Sequence, residues 1–592
     1  MKPEIDLLLV NSMAPRQRIA SDAALENSLA ILRTYLEDKA YRVEVMDEQR
    51  ISGPEAGVPA WCLKLLRLLV RLQMATYRKE FKYIFLILML STWPVQALSL
   101  YYRTRHINGK INDIIRTIRN NRISLLGIKL WYGDSFRWSK LLAAKVREAC
   151  PEVIIVAGGP QVKVYGEHVF HETKFDVAIL GPGEEVLEKM IALQRQTFSR
   201  TDFFTQFERE ISRSRLVQTG IYNPAGLPAQ NQSLTIPRYR PEDMRDKLLF
   251  HTLVDGMGCS WNRCNFCSHT RQASAYQPRP VPEIIREFQA MSRQGISFFR
   301  FSSSETPPAH GKKIAQAILE HDLTVNYSMF VRPVRVTPAI YDAYCLMIQS
   351  GLRAVFMGGE TGHDLINETV MNKGVRKKEI VDTINCIKLA AAAVGKNCRI
   401  GLSLIYPTPV VADVTLQDVY EADIRLIQET LPDTVIVNPP GVFPHTAWME
   451  NAGQFGFAIT PDFVFELMQY EYSIYKPVEF WGQLGFSLQG KSTPDLIKET
   501  GKLRNAIAEM GIPTDISDEY LMMTEAIGYT AKVDLLRFKR DSLQDIMSGS
   551  SRYMREVIAR INIQSRQMAD GSLKSPGSGT AASLQSFFPH NS

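Results

Sequence analysis

Over the first 195 residues, short apolar runs alternate with amphipathic stretches. Residues 5–10 (IDLLLV), 41–46 (YRVEVM), 123–130, 153–157 and 177–180 read as strands. Residues 24–36, 111–119, 139–148 and a run from Glu184 carry helical periodicity. Strands too short and apolar to face water, separated by helices, predict a parallel sheet covered on both faces, a doubly wound, Rossmann-like α/β domain. Residues 196–245 are less regular, contain Asn223, Pro224, Gly226, Pro228 and Pro237, and read as a linker. A second α/β series follows over 246–455, with strands at 248–254, 297–302, 324–330, 353–357, 399–405 and 434–437. Six such units predict a partial (β/α)6 barrel of TIM type, with reactive residues at the strand carboxyl ends. Residues 456–560 read as a mainly helical region, and 561–592 as the end of a helix followed by a disordered tail.

One segment breaks the alternation, within an insertion at about 50–105. Between Tyr83 and Tyr102 there is no charge, and Arg78, Lys79, Lys82, Arg103 and Arg105 flank the run. Its length allows a membrane span. Pro94, the polar residues Ser91, Thr92 and Gln96, and the absence of charge asymmetry argue instead for a buried or membrane-surface helical hairpin.

Composition adds boundaries rather than a function. At 592 residues the chain is long enough for three or four domains, and 45% hydrophobic with 22% charged residues is an ordinary globular balance. A formal charge of +7 gives no reason to invoke nucleic acid. Of the eight cysteines only three cluster, which is no disulfide framework, and the start Met1-Lys2-Pro3-Glu4-Ile5-Asp6 does not read as a secretory signal. The expectation is a reducing cytoplasm.

The three clustered cysteines, Cys259, Cys264 and Cys267, follow directly on the first barrel strand. Thiolates at that density bind metal. Zinc would need a fourth ligand, for which His251 or His269 is available, and would make the protein a zinc-stabilised binding module. A four-iron cluster held by three cysteines leaves one iron open to substrate. A loop at the mouth of a barrel is a catalytic address, which favours the cluster. At the carboxyl ends of the first domain's strands stand Gly158-Gly159-Pro160 and Gly181-Pro182-Gly183-Glu184, where glycine allows a bulky ligand close approach or simply makes a tight turn.

With its ordered landmarks, the barrel segment resembles the radical S-adenosylmethionine (SAM) superfamily. Phe266 matches the aromatic set against adenine. Met357-Gly358-Gly359-Glu360-Thr361-Gly362, with Met371-Asn372-Lys373-Gly374, is similar to the family's G-x-E-S-G and M-N-K-G, and Ser302, Ser303, Ser304 and Arg332 end the second and third strands. The resemblance implies that Glu360 and the serines meet the amino and ribose groups of SAM and Arg332 its carboxylate; alternatively Arg332 and Glu360 pair with each other. The first gap between cysteines holds four residues instead of the usual three, Tyr406-Pro407-Thr408 replaces G-x-P, and His445 stands for a glycine.

Val156 to Gln161, Phe175-Asp176 and the Gly181 turn are similar to landmarks of the superfamily branch that carries a cobalamin-binding domain. The D-x-H-x-x-G motif is absent, as in that branch. The resemblance implies a [4Fe-4S] cluster, S-adenosyl-L-methionine and cobalamin as cofactors, with Trp131, Tyr132, Gly158, Gly159, Pro160, Gly181, Gly183 and Glu184 near the corrin; Trp131 and Tyr132 alternatively read as core aromatics. It further implies methyl transfer to an unactivated carbon of a small molecule, lipid, peptide or tetrapyrrole, and an electron donor such as flavodoxin or ferredoxin. A rearrangement, ring contraction or oxidation is the alternative outcome. Methylthiolation fits less well, because the first domain offers only Cys62 and Cys150.

Overall fold

The computed structural model describes residues 5–15, 23–76, 82–197, 199–220, 234–269, 276–411, 413–471, 476 and 478–572. Arg78, Lys79, the expected linker residues Asn223 to Pro228 and the expected tail from 573 lie outside these.

Two parallel six-stranded sheets carry the fold. The first is built from β1 (Leu7–Asn11), β2 (Val43–Met46), β3 (Leu125–Lys129), β4 (Ile154–Gly158), β5 (Val177–Leu180) and β6 (Leu216–Gln218), in the order β2-β1-β3-β4-β5-β6. Every residue of β1 is buried, because its side chains feed two cores in alternation. Leu8 and Val10 pack with Phe136 and Leu142, whereas Leu7 and Leu9 pack with Leu29, Val186 and Phe203. β6 lies within the stretch expected to be a linker, which also holds the helix Arg200–Glu210. At three residues, β6 is too short for periodicity to reveal.

The second sheet contains β7 (His251–Leu253), followed by a small antiparallel pair, β8 (Gly256–Met257) and β9 (Gln277–Pro278). It continues through β10 (Phe298–Phe301), β11 (Asn326–Val331), β12 (Leu352–Glu360), β13 (Arg399–Ile405) and β14 (Thr434–Asn438). Strand order follows chain order, all pairs are parallel, and the barrel stays open between β14 and β7. All six expected strands are present. The helix Asp518–Ala526 packs on β10 to β13, where Asp518 accepts bonds from Arg300 at 2.8 Å and Ser328 at 2.7 Å.

The region after 456 is mainly helical as expected, with one addition. β15 (Phe457–Ile459), β16 (Phe486–Leu488) and β17 (Lys491–Ser492) form a small antiparallel sheet.

The insertion forms two antiparallel arms, the helices Ala60–Ala75 and Lys82–Asn120. The second arm is one continuous helix that runs through Pro94 and absorbs the expected helix 111–119. Its apolar part is not buried, with only 11% of the most apolar window covered, whereas Ile111, Ile114 and Ile118 further along enter the core.

Candidate functional site

The cysteine loop is held at its start by a buried polar group. Just past β7, the Asp255 carboxylate accepts hydrogen bonds from the Ser303 amide at 3.2 Å, the Ser303 hydroxyl at 2.9 Å and the Thr306 hydroxyl at 2.9 Å. Burial pushes its pKa up to about 6 against these bonds. Asp255 thereby ties the start of the loop to the end of β10.

The extra residue between Cys259 and Cys264 is accommodated by a local left-handed turn. Asn262 has φ +48°, and Trp261 swings out so that its indole N–H donates to the Asn372 carbonyl at 2.7 Å. The Asn372 side chain donates back to the Arg263 carbonyl at 2.8 Å, and the Asn265 amide donates to the Met371 carbonyl at 2.9 Å. Gly374 completes this seat, since a Cβ there would stand 2.1 Å from the Trp261 ring. The M-N-K-G turn is therefore the bed on which the lengthened loop rests.

Cys264 is buried, whereas Cys259 and Cys267 are half-buried. Burial pushes the Cys264 thiol up to about 11, partly opposed by Lys373, and also raises Cys267. Such thiols stay protonated until a cation replaces the proton. Among the described residues no three His, Cys, Asp or Glu side chains converge on a single-ion site. Of the two histidines considered as fourth ligands, His251 has both ring nitrogens engaged, whereas His269 lines the cavity with the cysteines. His251 is fully buried between the Glu287 carboxylate at 2.7 Å and the Tyr239 hydroxyl at 3.1 Å, and His269 Nδ1 meets the Ser304 hydroxyl at 3.1 Å.

Arg332 and Glu360 do not pair with each other. Lys373 stands between them: its ammonium lies 2.6 Å from Glu360 Oε1, and its carbonyl accepts a bond from Arg332. The Arg332 guanidinium stacks 4.9 Å from the Trp261 ring. Lys373 was visible only as a letter of M-N-K-G; its pairing with a residue 13 positions earlier has no periodic signal.

The three cysteines, Phe266, Ser302, Ser303, Ser304, Arg332, Gly358 and Glu360 all open onto one cavity of about 580 Å³ at the carboxyl ends of the barrel strands. Ser303 turns its hydroxyl to Asp255 and the Glu305 carbonyl. Gly359 lies outside the cavity lining, against Leu402 and Ile380. The opposite wall is apolar and includes Phe443, Phe463, Trp481, Leu484, Phe486 and Leu496. The sequence pattern carried no sign of this wall.

A second groove, of about 230 Å³, follows the carboxyl edge of the first sheet, where strand order reverses between β1 and β3. Gly158, Gly159, Gly181, Gly183 and Glu184 line it, together with Ser28, Leu32 and Lys129. Gly127 opens its floor, because a Cβ there would stand 2.7 Å from Leu9 Cδ2. A glycine inside the apolar run of β3 was the available signal for this residue. Pro160, Trp131 and Tyr132 are not part of the lining. Pro160 is exposed at the start of the helix Pro160–Tyr165, and the two half-buried aromatic rings lie 5.4 Å apart, with Lys129 over Trp131. Burial pushes the Glu184 carboxyl up.

The two sites meet through the C-terminal region. The Met468 carbonyl accepts bonds from the Gly133 amide at 3.1 Å and the Gln161 side chain at 3.3 Å, while Phe463 and Leu467 of the same short helix face the cavity.

A doubly wound domain joined to an open barrel that presents three cysteines is the fold shared by solved cobalamin-dependent radical S-adenosylmethionine enzymes, to which this chain is similar. Residues 88–191 match the family model of the B12 binding domain. Among solved structures, the radical SAM methyltransferase TsrM from Kitasatospora setae, with cobalamin and a [4Fe-4S] cluster bound, matches with TM-score 0.56 at 14% identity, over 91% of this chain and 98% of that one. The same enzyme with tryptophan substrate and a SAM analogue matches with TM-score 0.55 at 15% identity, over 90% and 99%. The cobalamin-dependent SAM radical enzyme OxsB, with aqua-cobalamin and SAM bound, matches with TM-score 0.51 at 12% identity, over 96% and 80%. No curated protein matches the chain.

Proposed function

We propose that the protein is a cobalamin-dependent radical SAM methyltransferase acting on a hydrophobic small molecule. The observation that carries this reading is the single cavity shared by three thiols, a set of polar groups suited to SAM, and an apolar wall. The glycine-lined groove fits a bulky planar cofactor, and three thiols without a closed ligand set fit a multi-iron cluster. When bound, a [4Fe-4S] cluster and cobalamin supply the electron that cleaves SAM and the methyl group that is transferred.

The chain's own residues bind and orient. Cys259, Cys264 and Cys267 give up their thiol protons and hold the iron. Phe266 offers a face to adenine, Ser302 and Ser304 offer hydroxyls to the ribose, and Arg332 offers its guanidinium to the SAM carboxylate. Glu360 accepts from the SAM ammonium and shares its charge with Lys373. The apolar wall excludes water from a reactive centre and accepts a carbon-rich substrate. Electrons come from a flavodoxin or ferredoxin.

Anaerobic reconstitution tests the proposal. Roughly four irons and four sulfides per chain, cobalamin uptake by absorbance, and both 5′-deoxyadenosine and a methylated product from an aromatic or lipidic substrate are expected. One zinc and no labile sulfide would overturn it. Deoxyadenosine without methylated product would replace methyl transfer by another radical outcome.

A further inference from the structure

The helical hairpin of the insertion presents an apolar surface that nothing among the described residues covers. Twelve of the 22 large hydrophobic residues that are exposed among the described residues belong to it. On the first arm Trp61, Leu65, Leu68 and Leu72 are exposed, and at about 100° per residue they form one stripe. Cys62, Leu66, Val70 and Gln73 form the buried stripe, and the arm packs on the second arm and the helix Lys532–Ser548. Lys64, Arg67 and Arg71 run along the border between the two. On the second arm eight large hydrophobics from Tyr83 to Tyr101 are exposed, with Trp93 71% open.

The same segment is rich in cations. From residue 56 to 112 there are nine lysines and arginines and a single acidic residue, Glu80, a net +8. The whole chain carries +7, so everything outside residues 56–112 nets −1. The positive charge of this protein resides in the segment that exposes its apolar side chains.

We propose that this hairpin docks the enzyme in the plane of an anionic phospholipid bilayer. An exposed apolar stripe bordered by cations, with tryptophan and tyrosine among the apolar residues, matches the chemistry of the headgroup and acyl boundary. A second copy of the chain is a poor occupant, because it would bring the same net +8 against this one. A span is also a poor solution: the second arm is long enough, but its antiparallel partner would carry Lys64, Arg67 and Arg71 into the hydrocarbon. Docking along the surface leaves those cations at the headgroups.

Flotation of the purified full chain with vesicles tests this. Binding to phosphatidylcholine vesicles containing about one-third phosphatidylglycerol, weakened at least about tenfold by pure phosphatidylcholine or by molar salt, is expected. Lys64→Glu with Arg71→Glu should reduce binding about tenfold or more, and Leu68→Asp with Leu90→Asp should abolish it. All four side chains are exposed, so thermal unfolding should be unchanged; Trp93→Ser serves as a second apolar variant if it is not. Brominated lipid should quench tryptophan fluorescence in the wild type and not in Trp61→Phe with Trp93→Phe. Absence of wild-type flotation, with self-association in light scattering or a stable complex with another protein, would overturn the proposal. So would flotation that survives both double variants, or vesicle association that resists carbonate as a spanning helix does.

Discussion

Two ligand-sized spaces lie at the carboxyl edges of two parallel sheets, and they are made in opposite ways. The barrel cavity is built by side chains: thiols, a buried Lys373–Glu360 pair and a stacked Arg332, each fixed by another residue. The groove of the first domain is built largely by removing side chains, through Gly127, Gly158, Gly159, Gly181 and Gly183. A space built from partners fails when one partner is lost, and a space built from omission fails when something is added. Substitutions should therefore act in opposite senses at the two sites.

The largest effect is expected at the cysteines. Cys264→Ala should remove the cluster and lower SAM cleavage by at least about 100-fold, as read by iron content and 5′-deoxyadenosine, while cobalamin uptake stays intact. Loss of cobalamin in the same variant would break the separation between the sites. Next comes Lys373→Met, which leaves the buried Glu360 carboxylate without its counter-charge and should cost about 3 kcal/mol in denaturant unfolding. Adding Glu360→Gln should recover much of that stability, although SAM binding stays weak.

A smaller effect is expected at Gly158→Leu. No atom lies within 4 Å of a Cβ placed there, so folding should be unaffected, whereas cobalamin uptake should fall about tenfold because the side chain fills the groove. Iron content should not change. The smallest effect concerns Asp423, which accepts bonds from the Thr361 hydroxyl at 2.8 Å and the Gly362 amide at 2.6 Å behind the end of β12. Burial pushes its pKa from 3.8 to about 7. Folding therefore favours its protonated form, and its contribution to stability is full below 3.8 and lost as pH rises through about 7. Asp423→Asn should flatten the fall of the unfolding midpoint across that interval.

The two regions also differed in how far the sequence revealed them. The strands of both sheets were legible because residues such as Leu7 to Val10 must satisfy two cores at once, which forces a continuous apolar run. The cysteine loop was legible by density and position. Its support was not, because Trp261, Asn372 and Gly374 meet across more than a hundred residues. In the hairpin, Pro94 and its polar neighbours suggested a break. Ser91 and Thr92 bond instead to the Ile87 and Leu88 carbonyls, and the helix continues past a proline that forfeits one backbone bond. Trp131 and Tyr132, expected either beside the corrin or as core aromatics, are half-buried next to the groove and outside its lining of glycines and aliphatic carbons.

The short helix Phe463–Met468 belongs to both spaces at once. Its apolar side chains form part of the wall that would touch a substrate, and the carbonyl at its end receives the Gly133 and Gln161 bonds from the first domain. Through those two bonds the helix is tied to the first domain at the starts of the helices Asp134–Ala149 and Pro160–Tyr165. The helix thus gives the cavity wall and the first domain a shared support, so a substitution at Phe463 or Leu467 that alters substrate preference is expected to alter ligand uptake by the first-domain groove as well.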